Sequence, residues 1–185
     1  MVPDRRFRLF PTGIGPVGIV WTPRGIAGVQ IPAADEPATR RALLRRFPGA
    51  QEAAAPPEIE SAIAAMRSLL AGQRTDLSAL PLDLEGVSAF ERRVYEIALT
   101  IPAGATMTYG EIAARLGDPA AARAVGVALG RNPVPVIVPC HRVLAAGGRS
   151  GGFSAPGGIA TKMRLLAIED AAPGGQPDLF GLAPR

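Results

Sequence analysis

One cysteine, Cys140, is all that 185 residues contain, and the one histidine, His141, directly follows it. The chain therefore has no disulfide framework, and it cannot assemble a Cys/His zinc site from its own residues. Whatever it folds into is held by a hydrophobic core. The composition allows one, with 48% hydrophobic and 19% charged residues in a length that suits one good-sized domain or two small ones sharing an interface. Cysteine usage of this kind suits a reducing cytoplasm. "MVPDRRFRLF" lacks the apolar stretch of a signal peptide, and no apolar run approaches the roughly 18 residues that span a bilayer.

Proline and glycine divide the chain into short elements. "GPVGIVWTPRGIAGVQI" holds two apolar runs, Val17–Trp21 and Ile26–Ile31, around the turn residues Thr22 to Gly25, which predicts a β-hairpin. "EPATRRALLRRFPG" predicts a helix stopped by Pro48 and Gly49. After the Ala/Pro linker "AQEAAAPP", Ile59, Ile63, Met66 and Leu70 recur at helical spacing. "LPLDLEG" reads as a strand and connector, and the domain boundary is expected there, with residues 1–84 before it and 85–170 after it. In the second half, Ser88 and Glu91 form a capping-box signature for a helix that stops before Pro102. "IPAGATMTYG" reads as a loop. "YGEIAARLG" and "DPAAARAVGVALGRN", with Asp118 as N-cap and Pro119 at the first helical position, outline a helix-turn-helix. "PVPVIVPCHRV" reads as a buried extended segment, "AAGGRSGGFSAPGG" as a loop and "IATKMRLLAIED" as a final helix, followed by a flexible tail over 171–185.

Net charge is +4, with a pI near 10.2. Between Arg115 and Arg164 the only acid is Asp118, so the basic excess sits around the Cys-His pair. Such a patch fits a polyanionic partner or a solvated face equally well. Positive surroundings also predict a thiolate at Cys140, and the thiolate is the nucleophilic form. On these residues alone, a structural cysteine beside a capping histidine remains the better reading. The helix-turn-helix sharpens the question. Its second helix carries small residues around one long side chain, Arg123, which fits close approach to a groove and equally a tight helix–helix contact.

The combination of Tyr109, Arg123, Asn132-Pro133 and Pro139-Cys140-His141-Arg142-Val143 resembles the C-terminal domain of the O6-alkylguanine-DNA alkyltransferases, over about Phe90 to Glu169. The N-terminal half is similar only in its hairpin and helix pattern. The resemblance implies an α/β (α+β) fold, with a small RNase H-like domain followed by a winged-helix-like alkyltransferase domain. It implies repair of O6-alkylguanine, and of O4-alkylthymine, in double-stranded DNA by one irreversible transfer to Cys140. Glu169 would orient His141, which would deprotonate Cys140 through a water. Tyr109 would donate to the extruded base, and the carbonyls of Cys140 and Val143 would accept from its amine. Arg123 would fill the vacated space, with Ala122, Ala124, Gly126 and Arg131 against the DNA and Asn132 as a hinge. No metal or cofactor is implied, since the zinc of some family members lies in the N-terminal domain and outside the reaction.

The sequence departs from the family in its alkyl-pocket loop. "GGFSAPGG" has Phe153 where tyrosine is usual and is about two residues longer; the resemblance implies that the Ser154 N–H would face O6. Glu91 and Tyr95 stand where glutamine and tryptophan are common. "QPDLF", with Gln176, Leu179 and Phe180, resembles the peptide that docks bacterial repair proteins on the sliding clamp. The expected protein is a monomer of the bacterial cytoplasm, associated with the nucleoid. The competing functions are a lesion-binding protein that flips and flags bases without chemistry, which Cys140 argues against, and a Cys-His hydrolase, which leaves the helix-turn-helix unexplained.

Overall fold

Charged and apolar residues alternate in Arg6-Phe7-Arg8-Leu9, a period that turns Phe7 and Leu9 to one face of an extended chain, and Phe10 turns to the other. In the computed structural model, which describes residues 4–171, this segment is strand β1 (Arg6–Thr12). It turns at Gly13-Ile14 into β2 (Gly15–Thr22), and β2 pairs antiparallel with β3 (Gly25–Gln30). A two-residue strand, β4 (Gln51–Glu52), joins β1 in parallel and completes the order β3-β2-β1-β4.

Helix α1 (Glu36–Arg46) starts at Asp35, whose carboxylate accepts from Ala38 N at 2.7 Å. It lies on one face of the sheet, where Leu43 and Phe47 meet Phe7, Val20 and Ala27. Gly18 and Gly28 permit that approach. A Cβ on Gly18 would stand 2.4 Å from Leu43 Cδ1, and one on Gly28 would stand 2.1 Å from the Phe47 ring. Helix α2 (Pro57–Leu70) covers the other face with Ile59, Ile63, Met66 and Leu70, all buried. Strand β2 is thus buried on both faces, which is why its apolar residues run on without alternating.

Helix α3 (Ala89–Leu99) opens with the Ser88/Glu91 capping box. Helix α4 (Tyr109–Arg115) opens with a second box, Thr108 with Glu111. A 3-10 turn, Pro119–Ala121, capped by Asp118, leads into α5 (Ala122–Gly130), which packs on α3 and α4 through Val125, Ala128 and Leu129. Tyr95 donates its hydroxyl to Ala128 O at 2.9 Å. The last helix is α6 (Gly158–Ile168). One hydrophobic cluster continues from Val17 and Ile19 on the sheet through Val94 and Val125 to Cys140 and Val143. Backbone bonds reinforce that continuity: Val29 N donates to Pro133 O at 2.9 Å, and Ile26 N to Pro81 O at 2.8 Å.

Several segments differ from expectation. Strand β1 falls in a stretch read only as a non-signal N-terminus. Gln51–Glu52 is a strand inside what reads as a linker, and Met107–Thr108 is a strand (β5) inside what reads as a loop. "LPLDLEG" contributes one bridge, Leu82 to Ile26, instead of a strand. Cys140–Arg142 is a 3-10 turn and not extended chain, followed by β6 (Val143–Leu144). The "QPDLF" segment lies outside the described residues.

Candidate active site

Asn132 closes the chain that carries the cysteine. Its Oδ1 accepts from Val134 N at 2.9 Å, and its Nδ2 donates to Val138 O at 2.8 Å. Those two bonds gather Val134 to Val138 into a buried loop and hold Val136 at φ 76°, a conformation that a β-branched residue rarely adopts. The chain leaves this loop as the Cys140 turn. Strand β6 then pairs in parallel with β5, Val143 opposite Met107 and Leu144 opposite Thr108. Because Tyr109 directly follows β5, that short ladder ties it to the strand that carries Val143.

Behind the cysteine lies a buried ionic relay. His141 Nε2 is 2.9 Å from Glu169 Oε1, and Arg142 grips the same carboxylate in bidentate fashion at 2.8 and 2.9 Å. Glu169 caps the C-terminus of α6 and is 7% exposed. Burial pushes its pKa up, but the bonds from His141 and Arg142 outweigh burial and hold the carboxyl at about 2. An ionised carboxylate only accepts, so Nε2 carries the proton and Nδ1 keeps its lone pair. That Nδ1 is buried and has no hydrogen-bond partner among the described residues. Burial also lowers the His141 pKa, which keeps the ring neutral and able to take a proton.

The thiol itself does not meet expectation. Burial pushes the Cys140 pKa above its ordinary value, against downward pulls from Asn132 and from the Lys162 ammonium. Desolvation wins over the positive surroundings, and the resting group is a thiol. Part of the reason is where the charges go: Arg142 is paired with Glu169, and Arg131 lies 3.6 Å from Glu91. Lys162 belongs to the basic excess around the Cys-His pair, and sequence reasoning did not single it out. It is fully buried, its Nζ donates to Val143 O, it stands 5.8 Å from the Tyr109 ring centroid, and burial brings its pKa down to about 8. A lysine on the inner side of α6 between Leu165 and Leu166 one turn on was the available signal.

A cleft of about 550 Å³ opens over Cys140 between α5 and the glycine-rich loop, lined by Tyr109, Ala122, Arg123, Gly126, Phe153 and Ser154 among others. Arg123 and Ala124 are exposed on α5. Tyr109 is packed against Gly151, where an added Cβ would stand 2.8 Å from its hydroxyl. Ser154 uses its side chain to bridge the loop to α5, donating Oγ to Gly130 O at 2.8 Å. The structure thus brings Cys140, His141, Glu169, Asn132, Val143 and Tyr109 together. Arg131 points away from this cleft toward Glu91. Among the described residues no cluster of three metal-ligating side chains is present, and no helix is long and apolar enough to cross a membrane.

Residues 89–171 match the family model described as 6-O-methylguanine DNA methyltransferase, DNA binding domain. A methylated-DNA–protein-cysteine methyltransferase of Mycolicibacterium paratuberculosis is 46% identical over 62% of this chain and 67% of its own. One of Methanothermobacter thermautotrophicus is 32% identical over 86% of this chain and 82% of its own. A DNA base-flipping protein of Thermus thermophilus is 38% identical over 87% and 97%. The crystal structure of Mycobacterium tuberculosis OGT in complex with DNA superimposes with a TM-score of 0.72 at 34% identity, covering 89% of this chain and 92% of that one.

Proposed function

This chain belongs to the methylated-DNA–protein-cysteine methyltransferase family and repairs DNA by alkyl transfer; from that premise we propose that Cys140 accepts the alkyl group, once, from O6 of a guanine turned out of the duplex. The observation that carries this is the unpartnered Nδ1 of a neutral His141, behind a cysteine that floors a cleft. Extruding a base costs a few kcal/mol, and least for a weakly paired lesion. Arg123, exposed on a small-residue helix, fills the vacated stack while Ala122, Ala124 and Gly126 let α5 approach the groove. The hydroxyl of Tyr109 donates to the base. The carbonyls of Val143 and Cys140 each already accept one bond, from Lys162 Nζ and Val143 N, and each keeps a second lone pair for the exocyclic amine.

His141 Nδ1 takes the thiol proton through a bridging water, and Glu169 stabilises the imidazolium as it forms. The sulfur attacks the alkyl carbon from the side opposite O6. The C–O6 bond breaks, and guanine leaves with the bonding pair and takes up a proton. The thioether has no leaving group, so the protein is consumed. No step calls for a metal or cofactor. The same displacement applies to O4-alkylthymine. We further assign the two-domain division at residues 84 and 85, a monomeric state, a nucleoid location and clamp docking through Gln176, Leu179 and Phe180 to this reading.

The test is incubation with a duplex carrying O6-methylguanine, followed by intact mass and peptide mapping. One adduct of about 14 Da (a methyl replacing the thiol hydrogen) is expected on the Cys140 peptide, and none in Cys140→Ala. Multiple turnovers per molecule would refute single use. A second reading, lesion binding without transfer, is favoured by the base-flipping relative. It wins if the lesion is bound and no mass is gained.

A further inference from the structure

Cys140 floors two clefts. Besides the one beneath α5, a second of about 580 Å³ opens between α1 and the loop that follows Phe153. Ile31, Ala42, Arg45, Arg46, Asn132 and Pro156 line it, and it shares Leu129, Gly130, Cys140, Phe153 and Ser154 with the first. The partition between them is thin: the Ser154 side chain, hydrogen-bonded to Gly130 O, beside Phe153. The two clefts differ in charge. Arg45, Arg46 and Arg131 all line the second, and no acidic residue does.

The arginines of that cleft are not equally engaged. Arg131 leans toward Glu91. Arg46 is held in place by β3, its Nη1 donating to Val29 O at 2.9 Å and to Gln30 Oε1 at 3.1 Å, with Nη2 at 3.5 Å from the carbonyls of Asn132 and Pro133. Arg45, one residue earlier at the end of α1, makes no hydrogen bond or ion pair among the described residues. A cleft lined by a held guanidinium, Arg46, and a free one, Arg45, with no acid among its lining residues selects an anion.

The geometry of the displacement says which anion. Resting on the reading that Cys140 is the acceptor, the base occupies the cleft of Tyr109 and Arg123, and the reacting carbon lies against Sγ. Any atoms beyond that carbon need space that touches the sulfur and that the base does not fill. The second cleft also reaches Cys140 and supplies such space on the side of the sulfur away from Tyr109 and Arg123. We infer that this cleft receives the distal part of the transferred group, and that Arg45 and Arg46 make the protein selective for alkyl groups ending in a carboxylate, such as carboxymethyl. The chemistry is unchanged: the S–C bond forms, the C–O6 bond breaks, guanine departs with the pair and takes up a proton, and the carboxylate stays on the thioether.

The experiment compares three duplexes, carrying O6-methyl-, O6-carboxymethyl- and the neutral isostere O6-carbamoylmethylguanine. Single-turnover transfer is followed by intact mass with protein in saturating excess. The wild type transfers carboxymethyl faster than carbamoylmethyl by about tenfold, the worth of one charge-assisted hydrogen bond. Arg45→Glu removes that preference and leaves methyl transfer within about twofold. Arg46→Gln does the same, and Arg45→Glu decides the matter if the Arg46 variant unfolds. Equal rates for the two larger adducts in the wild type overturn the inference. So does an equal slowing of all three substrates in Arg45→Glu, which would make these arginines phosphate contacts. Failure of methyl transfer in the wild type instead removes the acceptor role of Cys140, and the inference with it.

Discussion

Replacing Glu169 by glutamine keeps the shape of the buried relay and removes its charge. The Glu169 carboxyl is held at about 2 against an ordinary 4.5, a displacement worth roughly 3 kcal/mol of stability at neutral pH. The sign follows from the direction. A folded-state pKa below the unfolded one stabilises fully above about 4.5, and that contribution fades as pH falls toward 2. Other carboxyls, including Asp83, Glu91 and Glu111, are also lowered and titrate in the same range. The difference between wild type and Glu169→Gln cancels them. Urea unfolding should therefore show a gap of roughly 3 kcal/mol at pH 7, which is in keeping with the cost of breaking a buried ion pair from one side and leaving the Arg142 guanidinium unpaired. By pH 3 the gap should shrink to less than half, roughly 1.4 kcal/mol. Methyl transfer at pH 7 should slow by about a hundredfold, because His141 loses the anion that fixes its proton on Nε2. A gap that stays constant from pH 7 to pH 3 would refute the ionised buried carboxylate. A transfer rate equal to wild type would refute its link to His141.

Two further outcomes are expected. Lys162→Met removes the ammonium that pulls the Cys140 pKa down, so the pH profile of iodoacetamide labelling of the thiol should move to higher pH by about one unit, and an unmoved profile would deny Lys162 that influence. Deleting residues 172–185 should abolish retention on an immobilised bacterial sliding clamp while leaving methyl transfer within about twofold; unchanged retention would dismiss the "QPDLF" reading.

The elements that sequence made legible are those whose signal is local. The Ser88/Glu91 box, the Thr22-to-Gly25 turn and the Ile59-Ile63-Met66-Leu70 stripe each state their structure within a few residues. Two-residue strands such as Gln51–Glu52 and Met107–Thr108 are too short to show a period, and they exist because distant partners pair with them. The Cys140 turn was hidden for a related reason. Its apolar, β-branched run has extended-chain composition, and the Asn132 side chain, bonded to both sides of the loop, joins the Val138 N to Val134 O backbone bond in bending Val136 into an unfavoured conformation. Site residues 28 positions apart, such as His141 and Glu169, were joined by family resemblance and not by spacing. The expectation of a thiolate failed because burial is a property of the whole fold: charges can be counted along a chain, and their distance from water cannot. The two clefts at Cys140 were invisible for the same cause, since one needs α1 to sit beside a loop more than a hundred residues later.

The depressed acidity of Cys140 has a meaning for a protein that acts once. A nucleophile that turns over can waste a reaction; here, each stray encounter with a peroxide or a small electrophile would retire the whole molecule. Those encounters are paid by the thiolate fraction and by access, and burial of Cys140 cuts both. The feature that looks like poor activation is thus a safety catch. It gives the unreacted protein a shelf life, and it leaves release of the thiol proton to the moment when a base fills the cleft above Cys140.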